Sequence, residues 1–144
     1  MSEFIDQDRL SSTIKRHEGL RLEMYKDSVG KHTIGYGHNL DDLGITQEQA
    51  DKLFSDDITK VIYELLGIPE FRAIKNKARR EVLINMSFNL GLPKLLGFRK
   101  MWAAVMAEAW EAAADEMLDS RWARQVGHRA VELSEIMRAG CYGD

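Results

Sequence analysis

Apolar residues recur at helical spacing between residues 46 and 66. Ala50, Leu53, Phe54, Ile58, Val61, Ile62 and Leu65 fall on one stripe of a 3.6-residue helix. Thr46 and Gln49 stand ahead of the stripe in T-x-x-Q order, the spacing of a capping box. Gly67 and Pro69 close it. The pattern predicts one helix of about 20 residues, a rod of roughly 30 Å that could join two lobes. Asp57 falls within the stripe, between Leu53 and Val61. A carboxylate buried there would be costly without a partner, so a partner is expected.

A shorter amphipathic pattern covers residues 5–17, with Ile5, Leu10 and Ile14 expected to point inward. From Leu20 to Gly37 the period changes to two. Leu20, Leu22 and Met24 alternate with Arg21, Glu23 and Tyr25, and "KDSVGK" supplies turn residues, so this segment reads as β. After Pro69 the chain reads as helical throughout. "KARREVLINMSFNLG" is apolar on most sides, which predicts a buried central helix stopped by Gly91. The stretches "FRKMWAAVMAEAWEAAADEMLDS" and "HRAVELSEIMRAG" complete a helical bundle, with Trp102, Trp110 and Trp122 as core residues. The class is α+β, a small β lobe and a larger helical lobe.

Composition narrows the function. The 144 residues suit one domain, and 44% hydrophobic with 30% charged residues is ordinary for a globular chain. A net charge of -3 gives no basic face of the kind nucleic acid demands. The lone Cys141 has no internal disulfide partner, which fits synthesis in a reducing compartment. The first residues have no apolar core of a signal peptide, and no run is long enough to span a bilayer. Arg121, Arg124, Arg129 and Arg138 could touch a membrane surface, but Glu132 and Glu135 among them favour a solvated helix face and no stable anchoring. His17, His32, His38 and His128 lack metal-ligand spacing, so neither a metal nor another cofactor is expected.

The chemistry concentrates in "HEGLRLEMYKDSVGKHTIGYGH", residues 17–38. Glu18 falls at or just after the end of the first helix, where the negative pole of the helix dipole disfavours an ionised carboxylate. A carboxylic acid kept neutral can serve as a general acid. Asp27 falls in a polar turn, where it should stay ionised. Two carboxyls in different settings are the equipment of glycoside hydrolysis, and Thr33 could hold a water beside Asp27. Each residue also has an ordinary reading: Glu18 as a solvated helix end, Asp27 as the closure of an Asx turn, Thr33 as a plain strand residue.

The whole string resembles the active-site signature of the phage T4-type lysozymes, glycoside hydrolase family 24. E-G-L-R-L, Y-K-D and T-I-G-x-G-H stand in the family's order and intervals. "QADKLFSDDI", "RREVLINMSFNLG" and "SRWARQVGHRA" extend the likeness over nearly the whole chain. The resemblance implies a lysozyme-like fold in a single domain, 1–144. Residues of about 18–45 would form the small lobe, 46–67 the interlobe helix, and 1–17 with 68–144 the helical lobe. It implies Glu18 as catalytic acid, Asp27 as second carboxylate and Thr33 as the water-positioning hydroxyl. Asn39, Phe88 and Asn89 would line the cleft, Phe88 doubling as a core candidate. Arg129 would approach Glu18, and His38 would pair with Asp57. The implied reaction is cleavage, with inversion, of the β-1,4 bond between N-acetylmuramic acid and N-acetylglucosamine in peptidoglycan.

The likeness points to a monomeric endolysin, made in a host cytoplasm and released to the wall by a separate pore-forming holin. Compared with the phage T4 enzyme, the chain lacks a segment between the signature and the interlobe helix. It is acidic where that enzyme is basic, and its N-terminal arm is longer. Three rivals stand beside this reading: a lytic transglycosylase using the acid alone, a catalytically silent wall-binding domain, and a toxin with the same chemistry. Retention of Asp27 and Thr33 beside Glu18 favours hydrolysis.

Overall fold

The computed structural model describes residues 4–143. Its backbone clusters into two compact units, one running through Lys52 and the other starting at Leu53.

The first unit opens with helix α1, Gln7–Glu18. Asp6 caps it by accepting from the Arg9 N–H at 3.0 Å. Gly19, at φ 75°, ends it and donates to the Lys15 carbonyl. Strands β1 (Arg21–Lys26), β2 (His32–Gly35) and β3 (His38–Asn39) then form an antiparallel sheet in that order. Tyr25 lies opposite Thr33, and Thr33 opposite Asn39. The register slips between Arg21 and Tyr25. The short helix α2, Leu40–Leu43, leads to the long helix α3, Gln47–Leu66.

The expectation that α1 points its apolar residues inward needs correction. Leu10 and Ile14 share a face of α1 but stay about half exposed, and α1 buries no residue. On β1, Leu22 is 80% exposed and Met24 59%. The apolar face of β1 is therefore open to solvent at both residues.

Helix α3 carries the predicted capping box. The Thr46 N–H donates to Gln49 Oε1 at 2.8 Å, and the Gln49 N–H donates to Thr46 Oγ1 at 3.2 Å. Its apolar stripe is buried only at the far end. Leu65 is fully buried, Ile58, Val61 and Ile62 are partly covered, and Leu53 and Phe54 are exposed. Asp57 is exposed as well, so the expected cost of burying its carboxylate does not arise.

The second unit holds the hydrophobic core. After α4 (Pro69–Arg72) comes α5, Lys77–Leu90, which buries Val82, Leu83, Met86 and Ser87 and is closed by Gly91. Burying a side chain such as Leu83 is worth about 1.5–3 kcal/mol. Helices α6 (Leu92–Leu96), α7 (Arg99–Met106), α8 (Trp110–Leu118), α9 (Arg121–Val126) and α10 (His128–Ala139) complete the bundle. Trp102 and Trp122 are buried, and the Trp102 indole N–H donates to the Leu95 carbonyl. The C-terminal end of α10 is held by Arg79, which donates to the carbonyls of Met137 (2.7 Å) and Arg138 (2.9 Å) and lies over the Trp110 ring. A cation is well placed at that negative pole. Arg138 pairs with Glu111 and Asp115.

Ser87 is a local flaw. Its hydroxyl is buried and, among the described residues, has no hydrogen-bond partner. Leaving a buried hydroxyl unpaired costs about 1–3 kcal/mol. Ser87→Ala is therefore expected to stabilise the protein by about 1 kcal/mol. Urea denaturation checks this; a midpoint that falls would mean that the hydroxyl has a partner in solution.

Candidate active site

Glu18 is the last residue of α1, and it is exposed. Lys15, Arg16 and His17 share that last turn and offset the dipole. The Glu18 carboxyl lies against the backbone of Gly37, in the turn between β2 and β3. A Cβ added at Gly37 would sit 2.5 Å from Glu18 Oε2 and 2.9 Å from Cδ. Gly37 also has φ 73°, which L side chains rarely adopt. Lys15 Nζ stands 5.2 Å from the centre of the neighbouring Tyr36 ring, a second tie between helix and turn.

Gly37→Ala should therefore act twice. Backbone strain should cost about 1–2 kcal/mol, and the new methyl should push the Glu18 carboxyl aside. The expected result is a loss of activity larger than the loss of stability explains. Turnover measured well below the melting point of the variant checks this.

Asp27 begins the five-residue loop between β1 and β2. Its Oδ1 accepts from the N–H groups of Val29 (2.9 Å) and Lys31 (2.8 Å). Its own N–H donates to the Lys31 carbonyl at 2.9 Å, and its carbonyl accepts from Gly30. The ordinary reading of Asp27, an Asx turn, is thus realised. It occupies only Oδ1; among the described residues Oδ2 has no hydrogen bond. Thr33 is buried on β2, and its hydroxyl donates to the same Lys31 carbonyl at 2.9 Å. With its proton committed, that hydroxyl offers only lone pairs to a further partner.

The next residues of the signature fold back on the same strand. Asn39 caps α2: its Oδ1 accepts from the Asp42 N–H and its Nδ2 donates to Asp42 Oδ2. The His38 ring places Nε2 2.6 Å from the Gly44 carbonyl. A carbonyl only accepts, so Nε2 carries the proton there.

In the second unit, Phe88 is partly exposed and packs at 56° against Phe54, with ring centroids 5.6 Å apart. Asn89 Oδ1 accepts from the Trp122 indole N–H at 2.8 Å. Arg129 makes a fork onto Asn85, with Nε at 3.0 Å and Nη2 at 2.6 Å from Oδ1. Asn85 escaped the sequence reading. Its position one turn before Asn89 on the same helix face was the available signal.

A cavity of about 580 Å³, also unforeseen, opens between α6, α7, α8 and α9. Phe98 and Trp122 form part of its wall. Lys94, Lys100 and Arg121 stand on it beside Glu116 and Asp119, so both signs of charge line the opening. Among the described residues no three His, Cys, Asp or Glu side chains gather as a metal site, and no helix is long and apolar enough to cross a membrane.

A small antiparallel sheet with a hairpin of acidic and hydroxyl groups, followed by a helical core, defines an α+β protein of the lysozyme-like class. The chain belongs to the phage lysozyme family, whose profile matches residues 15–138. It is 27% identical to a probable T4-type lysozyme 1 of Dictyostelium discoideum over a 160-residue alignment covering 91% of this chain and 94% of that protein. It is 30% identical to the endolysin of Salmonella phage P22 over 116 residues, 73% of this chain and 75% of that one. A pre-baseplate central spike protein, Gp5 of Enterobacteria phage T4, is 28% identical over 91% of this chain but only 28% of its own length. Family membership makes the chain a lysozyme by class, a hydrolase of the bacterial wall.

Proposed function

We propose that the chain is an inverting muramidase that cleaves the β-1,4 bond between N-acetylmuramic acid and N-acetylglucosamine. Glu18 donates a proton to the leaving oxygen. Asp27 takes a proton from the attacking water, and Thr33 helps to hold that water. The observation that carries this reading is the division of labour at Asp27 and Thr33. Asp27 spends Oδ1 on the turn and keeps Oδ2, while Thr33 spends its proton on Lys31 and keeps its lone pairs. A water donating one hydrogen to each would turn its own lone pair outward, as a nucleophile needs.

Asn39, Phe88 and Asn89 would contribute to sugar binding. Arg129, steadied by Asn85, would support the acid. The cavity beside Trp122, with both signs of charge at its mouth, suits a peptide stem bearing amino and carboxyl groups. The biological setting we propose is that of a monomeric phage endolysin, made in the host cytoplasm and reaching the wall through a separate holin.

Digestion of purified peptidoglycan, with mass spectrometry of the fragments, tests this. Reducing muramic ends are expected. Anhydro ends would make the enzyme a transglycosylase, and an absence of fragments would make it a binding module. Proton NMR of fresh product should show the α anomer first; a β anomer would overturn inversion.

A further inference from the structure

We propose that Asp41 and Asp42, on the short helix α2, are positioning residues that hold Asp27 and Thr33 in register through Lys31 and His32. The inference rests on the catalytic reading of Asp27 and Thr33 given above. Lys31 is the hub. Its N–H donates to Asp27 Oδ1 at 2.8 Å, and its carbonyl accepts from both the Asp27 N–H and the Thr33 hydroxyl, each at 2.9 Å. One peptide segment thus sets both side chains.

That segment is gripped from outside the hairpin by two consecutive carboxylates. Asp42 Oδ1 takes the Lys31 ammonium at 2.9 Å. Asp41 Oδ2 takes the His32 N–H at 2.7 Å, and the His32 ring nitrogen Nδ1 stands 3.1–3.2 Å from both Asp41 oxygens. Asn39 closes the circuit. It lies opposite Thr33 in the sheet and binds both the N–H and the carboxylate of Asp42. Thr33, Lys31, Asp42 and Asn39 therefore form a ring of contacts, with Asp27 hanging from Lys31.

The electrostatics agree with the geometry. The His32 N–H holds the Asp41 carboxyl below its ordinary range, and the Asp42 carboxylate raises the Lys31 ammonium. Both pairs are largely solvent-exposed, so they contribute little to global stability. Their effect should appear in placement instead, where small displacements cost turnover steeply.

The test compares the wild type with Asp41→Ala/Asp42→Ala and Asp41→Asn/Asp42→Asn, using soluble peptidoglycan fragments. The double alanine variant should lose about tenfold or more in kcat with KM within about twofold. The double asparagine variant keeps acceptor oxygens and should recover most of that loss. Hydrogen exchange at the Asp27 and Lys31 amides should quicken in the alanine variant, while the melting temperature barely moves. Unchanged kcat with unchanged exchange would overturn the proposal, as would a rise in KM alone. A wild type that releases no reducing ends would refute the muramidase reading, and the exchange rates would still decide whether α2 holds the hairpin.

Discussion

Glu18→Gln is expected to lower the turnover of peptidoglycan by a factor of about 10²–10⁴ without loosening the fold. Glutamine keeps the shape of the side chain but has no acidic proton for the leaving oxygen. Its amide still fits against Gly37, where the carboxyl lies in the parent protein. Glu18 is exposed at the negative pole of α1, where Lys15, Arg16 and His17 offset the dipole, so removing its charge should change stability little. Unfolding should therefore stay within about 1 kcal/mol of the parent protein. Release of reducing ends and a circular-dichroism melt give the two halves of the result. Near-parental release by the variant would remove Glu18 from the acid role.

The contrast between Glu18 and the apolar residues around it shows how far sequence reading reaches. The end of α1 at Glu18, the hairpin turn at Asp27, the capping box at Thr46 and the stop at Gly91 were legible because each depends on residues within four positions. Periodicity likewise placed Leu10 with Ile14, and Leu22 with Met24, on common faces. It could not say whether anything covers those faces, and in this short first unit they stay exposed. The same limit explains Asp57, which sits in an apolar stripe whose middle is open to solvent.

Contacts made by the candidate residues and their neighbours within each unit were hidden for another reason. Lys31 to Asp42 spans 11 positions, Asn89 to Trp122 spans 33, and Arg129 to Asn85 spans 44. Ordinary polar residues make all three, and only the fold brings them together. The candidate catalytic residues stand together in one string of the chain, whereas the partners in these three contacts are brought together only by the fold.

Asp27 allows the turn and the chemistry to be separated within one side chain. Asp27→Asn keeps a carbonyl-type Oδ1, which can still accept from the Val29 and Lys31 N–H groups. The loop should persist and stability should change little. The amide cannot take a proton from water, so turnover should fall by a factor of about 10²–10⁴. Asp27→Ala removes both acceptor contacts as well. At about 0.5–1.5 kcal/mol for each lost hydrogen bond, it should destabilise by about 1–3 kcal/mol in addition to the same loss of turnover. The informative comparison is therefore between the variants: equal inactivity with unequal melting temperatures. If Asp27→Asn instead retained turnover, the Asx turn would be all that Asp27 supplies, and Oδ2 would have no part in activating water. If both variants melted alike, the two backbone contacts would not be what holds the loop, and the bracing by Lys31 and α2 would have to carry it.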